Sequence, residues 1–192
     1  MSNQLDIYIL DQSESKISRW DAQLNFIYAQ PIIFEGIPLY PEVFSVDQRG
    51  RMAVYSPETQ EIYLTDPGSN RLNPFIDLNR IPNAHECIRS LAFGNQDQLA
   101  ILFDCTKEVH LYSRSGKLER RFSIEVDNSI TIIQLGGKWL VINGDGQFQY
   151  LGEKPLNLPL KDLLILDAIA DDGFLNILTD SHLIIYDILD QP

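Results

Sequence analysis

Residues 50–78 read "GRMAVYSPETQEIYLTDPGSNRLNPFIDL", and residues 97–124 read "DQLAILFDCTKEVHLYSRSGKLERRFSI". Each stretch holds three short apolar runs cut by turn residues, and the second begins about 47 residues after the first. Self-similarity at a fixed period is the mark of a chain built from one repeated supersecondary unit. One column carries the alignment: a β-rich run ending in Asp, Ser or Asn. It recurs as "IYILD" (to Asp11), "MAVYS" (to Ser56), "AILFD" (to Asp104), "LVING" (through Asn143) and "NILTD" (to Asp180). The steps are 45, 48, 39 and 37 residues.

A second run follows each copy after a short turn: "KISRWD", "EIYLTD", "EVHLYS", "QFQYLG" and "HLIIYD". Another run precedes the second to fifth copies: "EVFSVD", "IRSLAF", "ITIIQL" and "LLILDAIA". A fourth follows the first four copies: "LNFIYA", "LNPFID", "LERRFS" and "PLNLPL". The repeat is therefore four strands, A-B-C-D, joined by turns rich in Gly, Asn, Asp and Pro, such as "SPETQ", "NGDG" and "LGGK". The runs favour Ile, Val, Leu, Tyr and Phe, and none has a sustained 3.6-residue apolar period. "PLKDLLILDAIADD", the best helical candidate, falls where an A strand is due and reads as connector plus strand.

Four-stranded units of about 40 residues are β-propeller blades, each too small to hide its faces without neighbours. The expected fold is all-β: a propeller of about five blades in a single domain over 1–192. The repeat spans are 1–34, 35–80, 81–126, 127–161 and 162–192. The first lacks an A strand and the last lacks a D strand, so eighteen strands are expected. A partial ring or a fragment of a larger propeller is the alternative. Exposed edge strands invite pairing, so self-association is expected of either.

The chain resembles NHL-like propeller repeats. The B–C hairpins carry the likeness, as in "DIYILDQSESKISRWD", where an apolar strand ends in Asp11, a polar turn follows, and a second strand ends in Asp21. "GSNRL" at 68–72 is similar to the Asn-Arg element of that family but falls one turn later. WD-type repeats fit less well, because Trp-Asp occurs only at 20–21 and Gly-His is missing.

Composition bounds the function. A formal charge of −12 opposes nucleic-acid binding and docking on anionic membranes, and favours solubility and a basic or cationic partner. No apolar run reaches the roughly 18 residues of a membrane helix, and "MSNQLDIYIL" lacks the pattern of a signal peptide. Cys87 and Cys105 are the only cysteines. If Phe93 pairs with Leu99, Arg89 faces Phe103 and Cys87 faces Cys105, so a disulfide is geometrically open. It would point to an oxidising, extracytoplasmic compartment; two buried thiols would leave the chain cytoplasmic.

His85, His110 and His182 lack zinc-site spacing, and a surface position is expected for the latter two. Asp11, Asp104 and Asp180 share one column, while Asp21, Asp66 and Asp187 share another; Asp171 and Asp172 sit in the last A–B turn. Turn chemistry explains such residues. The functional alternative is a carboxylate ring holding Ca²⁺, with Asp11, Asp104 and Asp180 as metal candidates. Trp20, Trp139 and Tyr8, Tyr63, Tyr112, Tyr150 and Tyr186 are expected to pack between blades. No nucleophile elbow, P-loop or dinucleotide fingerprint is present. The expected function is thus non-catalytic: a scaffold binding a protein partner through loops or funnel, with no cofactor. A Ca²⁺-dependent lactonase or hydrolase, for which Glu42 and Asp47 are the nearest A-strand carboxylates, is one alternative; a structural part of a larger assembly is another.

Overall fold

The computed structural model describes residues 6–65, 71–79, 81, 87–160, 163–171 and 173–187. The chain divides into two compact units, Met1–His85 and Glu86–Pro192. In the first, β1 (Ile7–Asp11), β2 (Lys16–Trp20) and β3 (Phe26–Pro31) form a three-stranded antiparallel sheet. A ribbon of β4 (Ile33–Phe34) and β5 (Ile37–Pro38) turns at Glu35 and Gly36, both at positive φ. A four-stranded sheet follows: β6 (Val43–Val46), β7 (Met52–Ser56), β8 (Glu61–Thr65) and β9 (Leu72–Asp77).

The second unit holds three sheets. The first is β10 (Ile88–Phe93), β11 (Leu99–Phe103), β12 (Glu108–Tyr112) and β13 (Leu118–Ser123). Next come β14 (Ser129–Leu135), β15 (Lys138–Asn143), β16 (Gln147–Tyr150) and β17 (Leu156–Asn157). Last come β18 (Ile165–Asp171), β19 (Phe174–Thr179) and β20 (Leu183–Asp187). The fold class is the expected one: all-β, with five antiparallel propeller-blade sheets. Among the described residues those sheets have three, four, four, four and three strands in meander order. The ribbon was not foreseen. β17 shrinks to two residues because Pro155 and Pro159 flank it and cannot donate to a ladder.

Sheets pack face to face within each unit. Tyr8, Leu10 and Ile17 meet Met52, Val54 and Tyr63. Leu102, Val109 and Leu111 meet Ile132, Trp139 and Val141. Leu140 and Ile142 meet Leu175 and Ile177. The central strands β7 and β11 are buried at every residue, so both of their faces must be apolar.

One backbone device recurs in four sheets. The residue before strand C sits at positive φ: Ser15 (48°), Gln60 (55°), Lys107 (50°) and Gly146 (84°). Its carbonyl then accepts the N–H of the residue that follows strand D. The pairs are Ile32 to Ser15 (2.8 Å), Leu78 to Gln60 (3.0 Å), Ile124 to Lys107 (2.9 Å) and Leu158 to Gly146 (2.8 Å). All four donors bury their side chains. The left-handed turn thus latches the exit of strand D and drives an aliphatic plug into the sheet packing. Ser15 adds a second tie through its hydroxyl, which donates to the carbonyls of Ile32 and Leu39.

The disulfide Cys87–Cys105 is present, with Cα atoms 5.3 Å apart. It does not arise through the simple ladder anticipated from the sequence. Phe93 pairs with Leu99 as expected, but a bulge between Ile88 and Ser90 shifts the register. Ile88, not Arg89, faces Phe103, and the Asp104 N–H reaches the Cys87 carbonyl (2.9 Å). The cysteines lie just outside the paired strands, where Cys105 can lean back across the turn.

Two outcomes follow from these ties. Replacing Lys107 by Val, which resists positive φ, is expected to cost about 1–2 kcal/mol in urea unfolding, whereas Lys107→Gly should cost less or nothing. Closing an 18-residue separation, the disulfide should contribute about 3 kcal/mol, read as the difference in unfolding free energy with and without reductant.

Candidate functional site

An open groove of about 760 Å³ lies between residues of sheets β10–β13 and β14–β17. Its apolar floor is Leu111 on β12, Phe122 on β13, Trp139 on β15 and Leu151 after β16. Trp139 is only 7% exposed, and its position depends on Gly94 in the β10–β11 turn: a β-carbon there would overlap the indole. The same turn is tied across the groove, where the Asn95 N–H donates to the Gln134 side-chain oxygen (2.6 Å).

Polar groups rim the groove. Gln98 donates to Glu119 (2.7 Å). Lys138 pairs with Glu153 (2.9 Å) and lies 5.3 Å from the ring centre of Tyr150. The Glu153 carboxylate holds the Lys138 ammonium above its ordinary pKa. Lys117 and Arg120 are exposed, and among the described residues their side chains have no acidic partner. The groove therefore offers an aromatic and aliphatic floor beside two free cations, on a chain whose net charge is −12.

The carboxylates singled out from the sequence lie elsewhere. The Asp11 carboxylate accepts from the Ser13 hydroxyl (2.7 Å) and the Glu14 N–H (3.1 Å), which lower its pKa in that order. Asp21 accepts the N–H groups of Gln23 and Asn25, and Asp47 those of Arg49 and Arg51. Asn143 does the same for Asp145 and Gln147. This i+2, i+4 pattern is turn closure by a side-chain acceptor. Asp104 starts the β11–β12 turn beside the disulfide, and Asp180 accepts from the Ser181 hydroxyl (3.1 Å). Asp11, Asp104 and Asp180 thus occupy three separate turns, and among the described residues no group of three His, Cys, Asp or Glu side chains is placed to hold a metal. Glu42 is exposed. Asp66, Asp172 and His85 lie outside the described residues, as do most of "GSNRL" and the side chains of Asp171 and Asp187.

His182 is exposed, but the surface position expected for His110 is wrong: it is 2% exposed. Its ring lies 4.5 Å from that of Phe103, its Nε2 bonds Glu108 (2.9 Å), and its Nδ1 has no partner among the described residues. Burial pushes its pKa down; the Glu108 hydrogen bond opposes this and Arg121 adds to it. Nearby Tyr112 buries a hydroxyl that has no partner among the described residues and is pushed up to about 12 by desolvation. The aromatic expectation holds for Tyr63, Tyr112 and Trp139, which are buried; Trp20, Tyr8, Tyr150 and Tyr186 are half-buried.

No family model matches the chain, and no curated protein does. Solved propellers do match its fold. Virginiamycin B lyase from Staphylococcus aureus aligns over 100% of this chain and 69% of its own, with 10% identity and a TM-score of 0.61. A gluconolactonase-type protein aligns over 93% and 69%, with 15% identity and a TM-score of 0.66. YCF48 bound to the D1 peptide aligns over 90% and 57%, with 12% identity and a TM-score of 0.55. The chain is a β-propeller protein by fold. At these identities the likeness reaches the propeller architecture and stops short of the NHL family, and both enzymes and a peptide-binding protein share the architecture. Among the described residues no helix is long and apolar enough to cross a membrane.

The buried histidine has a pH consequence. Its folded pKa lies below the unfolded value of about 6.5, so the unfolded chain takes up the proton first as pH falls. The stabilisation is fully present above about pH 6.5 and is lost below it, toward the depressed folded pKa. Unfolding free energies measured from about pH 7.5 to about pH 5 should fall for the native protein and fall less for His110→Phe.

Proposed function

We propose that the protein is a non-catalytic binding module that takes an extended segment of a partner protein in the groove over Trp139. The carrying observation is the groove itself: a buried aromatic floor with the free cations Lys117 and Arg120 at its rim. Interface anchors of this kind sit in desolvated pockets, and a volume near 760 Å³ is in the range of ligand clefts. The floor suits a large aliphatic or aromatic side chain, and the cations suit an adjacent carboxylate. The net charge of −12 still favours a partner whose wider surface is basic, drawn in by the long-range field, with the sign reversed only at the groove. That YCF48 has been solved with a peptide supports the reading as an example of what a propeller surface can hold. Cys87–Cys105 supports an oxidising compartment.

A Ca²⁺-dependent lactonase or hydrolase would need several oxygen ligands converging on one point, and the aspartates proposed for that role are engaged in separate turns. The groove has no such requirement.

Selection of a random peptide library on the full chain tests the reading. Selected peptides should pair an aromatic or large aliphatic residue with Asp or Glu. Arg120→Glu and Lys117→Glu should each weaken their binding about tenfold or more by calorimetry, while Arg121→Glu, outside the groove, should not. Peptides insensitive to both groove reversals would overturn it.

A further inference from the structure

The latch bonds fix which backbone groups of each outer strand face its sheet and which face away. In an antiparallel ladder, opposed residues exchange both N–H···O=C bonds only at every second pair. The Ile124 N–H reaches the Lys107 carbonyl, and the register then steps through Ser123 with Glu108, Phe122 with Val109 and Arg121 with His110. Phe122 therefore turns its N–H and carbonyl toward β12, while Arg121 and Ser123 turn theirs outward. The same count, started from each sheet's own latch, puts Pro31 of β3 and Pro74 of β9 at outward positions. It also puts Pro155 at the outward position just before β17.

An outward proline has no N–H to offer a further strand, and edge proline is a common guard against pairing. Of the outer strands β3, β9, β13 and β17, only β13 has no proline within it or beside it. It keeps its outward donors. Among the described residues it pairs with β12 alone, and Glu119, Arg120, Arg121 and Ser123 are exposed. Its guard is charge: Arg120, with no acidic partner among the described residues, rejects a cationic strand and admits one that carries a carboxylate. Side chains of a strand alternate between its faces. Arg120 and Phe122 share the face that lines the groove, and Arg121 points away from it. The open edge and the groove therefore meet on one strand.

We propose that the partner segment binds by strand addition, pairing antiparallel with the free edge of β13. This rests on the groove reading above and adds to it a direction, a register and a source of affinity. Antiparallel pairing continues the pattern of every ladder in the sheet. It places the partner residue opposite Phe122 two positions before the one opposite Arg120. The segment therefore reads large apolar, any residue, then Asp or Glu. The first and third side chains enter the groove, the apolar one beside Phe122 and the carboxylate beside Arg120. The middle residue and the one before the apolar residue exchange backbone bonds with Arg121 and Ser123. Main-chain bonds supply the affinity, and the alternate side chains supply the specificity. The Arg121 side chain takes no part; only its backbone does.

The probe is the capped peptide acetyl-Thr-Thr-Trp-Thr-Asp-Thr-amide, titrated into the full chain by NMR up to about 2 mM. N-methylation of the Thr just before Trp, or of the Thr between Trp and Asp, removes a donor aimed at β13 and should weaken binding about tenfold or more. N-methylation of Trp or Asp, whose amides face solvent, should change it less than about threefold. The peptide with Trp and Asp exchanged should bind about tenfold more weakly or worse. Ser123→Pro, which removes one outward donor and leaves the β12 ladder intact, should weaken the parent peptide in the same way. The methylated series uses the native chain, so it decides the matter even if that variant folds poorly. No binding of the parent peptide, methylation effects that ignore the alternation, or equal binding of the exchanged peptide would each overturn strand addition. The groove reading outlives those results if library-selected peptides lose affinity with Arg120→Glu, and it falls separately if they do not.

Discussion

Much of the structure depends on one backbone hydrogen bond made four times. A residue forced to positive φ at the end of the B–C turn points its carbonyl at the N–H that follows strand D. Without that bond each C–D ladder would stop one residue sooner, and Ile32, Leu78, Ile124 and Leu158 would have no fixed entry into the packing. The left-handed conformation costs about 1–2 kcal/mol at a non-glycine residue. The chain accepts that cost at Ser15, Gln60 and Lys107 and avoids it at Gly146. The cost is offset locally by the latch bond and by the buried aliphatic side chain that the latch positions. The last sheet, with no D strand among the described residues, closes its turn differently: the Thr179 hydroxyl accepts from Ser181 and His182.

The latch also shapes the groove. By fixing where β13 ends, it holds Phe122 beside Leu111 while β14–β17 brings Trp139 from the other side. The groove between these two sheets is lined largely by what the A–B and C–D turns and their flanking strand ends supply. Here they supply Lys117 and Lys138 with Glu153, and β13 itself adds Glu119 and Arg120. Recognition chemistry carried on turns above a fixed apolar floor follows from building with blades.

Much of this was legible in the sequence because period-two strands and Gly/Asn/Asp turns are local signals. The strand runs, the turns between them and the strand at "LLILDAIADD" could all be read from short windows. What failed was non-local or off-register. His110 reads as a surface residue by its polarity, yet burial is decided by which face of β12 is covered. The bulge between Ile88 and Ser90 moved Arg89 off Phe103, and no local residue announces that extra step. The groove left no trace either: Arg120 and Trp139 belong to different sheets, and nothing at either position marks the other.

The sequence alone therefore determined the all-β class, the repeat and its phase, because alternation and turn chemistry act within a few residues. The tertiary structure alone decided which apolar faces are covered, how Cys87 reaches Cys105 around a bulge, and that an acidic chain presents two unpaired cations above a buried indole. Those outcomes depend on distances between segments that are far apart in the chain, and a single sequence carries no measure of such distances.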